Sequence, residues 1–240
     1  MCLDLSWLLF FWKMTKSECY EVNRWFFDLD FVRNEYPEAD TLSDKAIVRK
    51  ILDPHNTSPH DPNPLFQCEF YRRVIDESDK QQNPVLHFLA EGVNQGISPN
   101  HCFDTLYYLK QNSESGLTAK GALQDALARL RRNDNLPSFH PFIDEKYILS
   151  FCDLESPLDF YYRLFRGNYF VANPHPLVDI TYLSEKAETK FESFASAFDY
   201  YWNLEKDVST HIIFDVDYYR SQLPKDDVVR RAVYLSLIHI

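Results

Sequence analysis

Six times along the chain an apolar residue is followed by a short polar stretch and then by another apolar or aromatic residue. These anchors are Phe27, Phe66, Phe103, Ile143, Val178 and Phe214, and by subtraction successive ones lie 39, 37, 40, 35 and 36 residues apart. A period of that length marks an array of supersecondary units. One such unit is too small to bury its own apolar face, so neighbours have to stack. The clearest copy reads Phe103-Asp104-Thr105-Leu106-Tyr107-Tyr108-Leu109.

The motif reads as a helix start. Asp follows the anchor at Asp28, Asp104, Asp144, Asp179 and Asp215, with Gln67 the exception. A carboxylate at that position accepts a hydrogen bond from an N–H left free in the first helical turn. The anchor itself can reach the residue five positions on, as a hydrophobic staple. Those partners are Val32, Tyr71, Tyr108, Ile148, Leu183 and Tyr219, all apolar or aromatic.

A second helix follows in each unit. Asn83-Pro84 and Ser156-Pro157 place a capping residue before a proline at the first helical position, and Ser43 and Thr118 serve similarly. Gly92, Gly96 and Gly167 fall where a helix would end in a left-handed cap. No run of period-two alternation with hairpin turns signals a strand. The expected fold is all-α: a curved, α-solenoid-like array of short helical pairs over 22–234. It comprises about five units of 35–40 residues and a truncated sixth. Its longest irregular segment is 53–64.

Composition narrows the function. With 45% hydrophobic and 16% aromatic residues the chain can bury a large core. A net charge of −11 argues against nucleic acid or an anionic membrane surface. The basic run Arg129 to Arg132 is broken by Leu130 and suits a helix C-terminus better than a phosphate groove. Five scattered cysteines form no Cys-x-x-Cys pair, so reduced, mostly buried thiols in a cytosolic protein are expected. The apolar run Trp7 to Trp12 is too short to span a bilayer, which takes roughly 20 residues. With Asp4 before it and no basic start, it reads as part of a leader or packing helix over 1–21.

The stretch Asn83-Pro84-Val85-Leu86-His87-Phe88-Leu89-Ala90-Glu91-Gly92, then Gly96-Ile97-Ser98-Pro99-Asn100, then Phe103-Asp104 and Tyr107-Tyr108-Leu109, resembles a bacterial helical repeat. That repeat reads roughly Asn-Pro-Leu-x-His-Tyr-Leu-x-x-Gly, a Gly and Pro turn, and Asn-Pro-Leu-Phe-Asp-x-x-Tyr-Tyr-Leu. It is typically found beside glycosyltransferase domains of polysaccharide biosynthesis proteins, including rhamnan-synthesis-type proteins. The likeness is good over Asn63 to Leu109 and decays afterwards, where His87 and most glycines have no counterpart. It implies an accessory array on a glycan-building protein and carries over no catalytic residue. The final residues, Leu235 to Ile240, look like the translation of a sequencing adapter, so 235–240 is expected to be a non-native tail on a truncated chain.

Three constellations are candidates for chemistry. Phe26-Phe27-Asp28-Leu29-Asp30 and Ile212-Ile213-Phe214-Asp215-Val216-Asp217 imitate the Asp-x-Asp metal motif of nucleotide-sugar enzymes. Both fall on an anchor, where capping and the helix dipole explain them; Asp215 and Asp217 stay the metal candidates. His140, His175 and His211 each precede an anchor by three residues, where earlier copies have Asn63 and Asn100. Such a side chain bonds local backbone in a turn; a metal ladder across neighbouring units is the alternative. The aromatics Tyr71, Tyr108, Tyr162, Tyr201 and Tyr219, together with His87, are candidate glycan or partner contacts, core packing being the competing explanation.

The expected function is a non-catalytic scaffold or interaction region of a larger, cytoplasmic glycan-synthesis protein, needing no cofactor. Its partners would be another domain of the same polypeptide, another protein or a glycan, with no nucleic acid and no membrane span. Alternatives are a glycosyltransferase fragment with a metal-binding Asp-x-Asp, and a stand-alone protein-binding solenoid.

Overall fold

The computed structural model describes residues 23–132, 138–150, 173–192, 194–203 and 208–221. The expected leader, the cap at Ser156-Pro157, Gly167, Tyr162 and the tail 235–240 lie outside them. The chain divides into two compact units, Met1–Ala128 and Arg129–Ile240. Among the described residues all regular structure is helical. The two β-bridges, Asn100 with Phe103 and His175 with Val178, are isolated ones.

In the first unit, α1 (Leu29–Glu35) starts at Asp28, whose Oδ1 accepts the Phe31 N–H at 3.0 Å. Helix α2 (Asp44–Ile51) starts at Ser43, whose hydroxyl accepts the Ala46 N–H at 3.4 Å. After the irregular segment comes α3 (Cys68–Val74), which Gln67 opens without a side-chain bond. Pro84–His87, a π-helical turn Phe88–Gly92 and Val93–Gln95 then run on as α4. Helix α5 (Thr105–Gln111) is capped by Asp104, and Thr118 accepts the Gly121 N–H at the start of α6 (Ala119–Arg132).

In the second unit, α7 (Glu145–Leu149) and α8 (Ile180–Ala187) are capped by Asp144 and Asp179. Helix α9 (Phe194–Asn203) follows, and α10 (Val216–Ser221) begins after Asp215, whose Oδ1 accepts the Asp217 and Tyr218 N–H groups. Asp therefore caps at all five places where the anchor motif has it.

The staple has its physical counterpart. The anchors Phe27, Phe66, Phe103, Ile143 and Val178 are buried, and so are their partners Val32, Tyr71, Tyr108, Ile148 and Leu183. Ring centroids of Phe66 and Tyr71, and of Phe103 and Tyr108, lie 5.4 Å apart. Fully burying one such side chain is worth about 1.5–3 kcal/mol, so a stapled pair contributes more than the cap that starts its helix. Phe26, Phe66, Tyr71 and Phe88 interlock as the aromatic heart of the first unit.

Two glycines behave differently from each other. Gly96 ends α4 with φ of 74°, the left-handed cap that its position predicts. Gly92 does not cap: its φ is −57°, inside the π-helical turn. A Cβ there would collide with the Tyr71 hydroxyl, so close approach rather than turn geometry requires glycine.

Candidate functional site

Each anchor after Phe27 is preceded by a turn with a fixed division of labour. Asn63 and Asn100 accept, through Oδ1, the N–H two residues on: Leu65 at 2.9 Å and Cys102 at 2.6 Å. His140, His175 and His211 do the same through Nδ1, from Phe142 at 3.0 Å, Leu177 at 3.0 Å and Ile213 at 3.2 Å. An imidazole nitrogen thus replaces an amide oxygen in an Asx-type turn. Among the described residues no group of three or more His, Cys, Asp or Glu side chains converges as a metal site.

The asparagines have a second task. Asn63 Nδ2 donates to the Phe26 carbonyl at 2.8 Å, and Asn100 Nδ2 to the Leu65 carbonyl at 2.6 Å. Each therefore ties its own turn to the residue ahead of the preceding anchor. Histidine cannot do both from one atom. Before Phe214 the tie is made by the neighbouring residue instead, Thr210 Oγ1 donating to the Leu177 carbonyl at 2.8 Å. Backbone bonds run the opposite way, from each motif to the one after it: the N–H groups of Asp28, Gln67, Asp144 and Asp179 donate to the carbonyls of Pro62, Pro99, Pro174 and Thr210.

One position of this motif was not legible in the chain at first sight. The first N–H of the helix after the anchor donates to a side chain seven residues earlier: Cys68 to Asp61, Thr105 to Ser98, Ile180 to Asn173 and Val216 to Ser209. The signal was available, since every residue five before these anchors is a small polar one. Asp61 also explains how α3 starts without help from the Gln67 side chain.

Two polar clusters in the first unit hold the titratable groups. In the first, the Tyr71 hydroxyl lies 2.8 Å from His87 Nδ1, and His87 Nε2 lies 3.7 Å from Asp79 Oδ2. Burial, then the Glu91 and Asp79 carboxylates, push the Tyr71 phenol far up, so it stays protonated. In the tautomer that accepts from this hydroxyl through Nδ1, Nε2 carries the proton and points it toward Asp79. Asp79 Oδ1 accepts from Gln82 Nε2 at 3.1 Å. The chain Tyr–His–Asp has the order of a proton relay, but Tyr71 is fully buried.

In the second cluster the Tyr36 ring stacks on His60 with centroids 3.9 Å apart. The Tyr36 hydroxyl accepts the Asp61 N–H at 3.0 Å, and Asp61 Oδ1 accepts the Cys68 N–H at 2.8 Å. His60 Nε2 sits 3.0 Å from Glu38 Oε1 and 3.3 Å from Lys50 Nζ. Burial first, and Lys50 second, lower its pKa against the pull of Glu38. Burial raises the Cys68 thiol well above its ordinary value, and the Cys102 thiol likewise. Neither thiol is an activated nucleophile, which needs a depressed pKa and access.

The tyrosines require a correction. Tyr71, Tyr108 and Tyr201 are in the core, 0%, 0% and 1% exposed, and His87 is buried with them. For Tyr71 and Tyr108 the reason is the staple, since in Tyr107-Tyr108 the second residue is the one the anchor covers; Tyr201, on α9, packs on Phe142 instead. Its neighbour Tyr107 is half-buried, as is Tyr200, while Tyr218 is 68% exposed. The outward residues of the pairs are thus Tyr107, Tyr200 and Tyr218. The side chain of Tyr219 lies outside the described residues. Asp215 is committed to capping α10, and Asp217 is exposed in its first turn.

Comparison of the chain with protein-family models, curated proteins and solved structures finds no match.

Proposed function

We propose that the chain is a non-catalytic, α-solenoid-like helical-repeat array of about five units of 35–40 residues, with a sixth anchor at Phe214. It serves as a scaffold or interaction region of a larger glycan-synthesis protein in the bacterial cytoplasm. The observation that carries the scaffold reading is the motif-to-motif tie within each unit: the cap N–H groups of Asp28, Gln67, Asp144 and Asp179 and the side chains of Asn63, Asn100 and Thr210 reach the neighbouring motif. Asp28, Asp215, His140, His175 and His211, which looked reactive, are used in the caps and turns that start these motifs. Among the described residues no helix is long and apolar enough to cross a membrane.

Exposed apolar surface supports an interaction role. Ile212 and Ile213, ahead of the Phe214 anchor, are 75% and 74% exposed. The counterparts of Ile213 in the earlier motifs are Phe26, Leu65, Cys102 and Phe142, which are buried, and Leu177, which is half-buried. The glycan context rests on the resemblance of Asn83 to Leu109 to repeats found beside glycosyltransferases. The partner is another domain of the same polypeptide or another protein, with glycan stacking on outward tyrosines as its carbohydrate form.

The test combines glycan-array binding, cross-linking to co-expressed glycan-synthesis proteins and a manganese-dependent sugar-transfer assay on the purified chain. The expected result is no transfer, with cross-links lost in an Ile212→Ser/Ile213→Ser variant. Glycan binding lost in Tyr107→Ala or Tyr218→Ala would select the carbohydrate form. Transfer activity abolished by Asp215→Asn/Asp217→Asn would overturn the proposal.

A further inference from the structure

The first unit builds its pre-anchor turns with asparagine and the second builds them with histidine. Asn63 and Asn100 accept through an amide oxygen, which keeps its lone pairs at every physiological pH. His140, His175 and His211 accept through Nδ1, which loses its lone pair when the ring is protonated. An imidazolium in that place points an N–H at a backbone N–H, so the turn's side-chain bond is replaced by donor–donor repulsion.

We propose that the second unit is an acid-responsive part of the chain, its three histidine turns opening together as the medium acidifies while the asparagine turns of the first unit hold. The same turns position the anchors, because the N–H groups of Ile143, Val178 and Phe214 donate to the carbonyls of His140, His175 and His211. In two of them they also position the carbonyl that receives the previous cap: Pro174 for Asp144, and Thr210 for Asp179. Opening a turn therefore loosens the tie to its neighbour as well as the helix it precedes. The inference is independent of any glycan partner.

The surroundings of the three rings differ. His140 is 4% exposed and faces the rings of Phe142 in its own turn and Phe198 on α9, 5.3 and 5.0 Å away. The acid in that turn, Glu145, has its Oε1 3.3 Å from the Phe139 N–H. His175 is half-buried; burial lowers its pKa and outweighs the Asp144 carboxylate that opposes it from the start of α7. His211 is half-buried, with Asp215 four residues on and engaged with the first turn of α10. For His175, whose pKa burial lowers, neutrality stabilises the fold above the unfolded histidine value of about 6.5. That stability is lost as the pH falls through the folded value.

Hydrogen exchange of the full chain at about pH 7.5 and about pH 5, corrected for intrinsic rates, tests this across the window in which histidine titrates. Peptides covering 139–144, 174–180 and 210–216 are expected to lose protection by about tenfold or more, one pKa unit's worth of differential interaction. Peptides covering 62–67 and 99–104 are expected to lose less, since the imidazoles beside these turns, His60 and His101, do not accept the turn N–H as Asn63 and Asn100 do. The triple variant His140→Asn/His175→Asn/His211→Asn is expected to abolish the difference, and equal losses in both units, or an unchanged acid loss in the folded triple variant, would overturn the proposal. Nitrogen-15 imidazole shifts of the unmodified chain at about pH 7.5 give a check that needs no variant. The expected state is the neutral tautomer with its proton on Nε2 at all three rings, and Nδ1-protonated rings would equally overturn it.

Discussion

Asn63 donates through Nδ2 to the carbonyl of Phe26, 37 residues earlier, while its Oδ1 accepts the N–H of Leu65. One buried side chain thus closes its own turn and holds the preceding anchor segment. Truncating it leaves a buried carbonyl and a buried N–H unmet, at roughly 1–3 kcal/mol each. Asn63→Ala is expected to cost about 2–4 kcal/mol in urea denaturation on that arithmetic. Asn56 is the control: it accepts from the Ser58 N–H and donates to the Lys50 carbonyl, but at the surface, where water replaces both bonds. Asn56→Ala is expected to cost under about 1 kcal/mol, and equal costs for the two would remove the special role of Asn63.

The two Asp residues of Asp215-Val216-Asp217 should separate cleanly. Asp215 caps and Asp217 does not, so Asp215→Ala is expected to destabilise by about 1 kcal/mol and Asp217→Ala by less than about 0.5 kcal/mol. Asp215→Asn should keep most of the stability, since asparagine caps as well as aspartate. Asp104→Ala, at an identical cap on α5, provides the calibration. A pair acting as metal ligands would instead respond equally to both substitutions, and manganese would raise the melting temperature of the unmodified chain.

What could be read directly from the chain was the local chemistry. Asp28, Asp104, Asp144, Asp179 and Asp215 bond N–H groups two or three residues away, and a bond of that reach leaves its trace in residue order. The turn bonds of His140, His175 and His211 are local for the same reason. What Asn63 Nδ2 does is not local: its acceptor becomes a neighbour only when consecutive motifs pack. The tyrosines show a different gap. Tyr108 was both a staple partner and a candidate contact, and the two roles exclude each other because the staple position faces inward. Gly92 was assigned by its place near a helix end, whereas the reason for it is the Tyr71 hydroxyl on α3.

That close approach is open to a double-mutant cycle. Gly92→Ala pushes a methyl group against Tyr71, and overpacking of this kind costs typically about 1–3 kcal/mol. Tyr71→Phe removes the atom that meets it first, and with it the donor to His87 Nδ1. The single change Tyr71→Phe is expected to cost about 1–3 kcal/mol through the unmet imidazole nitrogen. The double variant should be more stable than the sum of the two, because part of the Gly92→Ala clash is gone. Strict additivity in denaturant melts would mean that Gly92 is required for some other reason.

His60 offers a titration whose sign is fixed by three neighbours. Burial and the Lys50 ammonium lower its pKa, and Glu38 pulls it back. The neutral ring is therefore the folded form's preference. The associated stability is present above about pH 6.5 and is lost as the pH falls through the folded pKa. Followed by proton NMR of the imidazole, His60 is expected to titrate below the ordinary histidine value. Lys50→Ala should move the midpoint up, and Glu38→Gln should move it further down. Opposite shifts on the two substitutions are the signature, since each partner is 3.0 to 3.3 Å from the same Nε2 atom. A midpoint indifferent to both would mean that burial against Tyr36 alone sets the protonation of this ring.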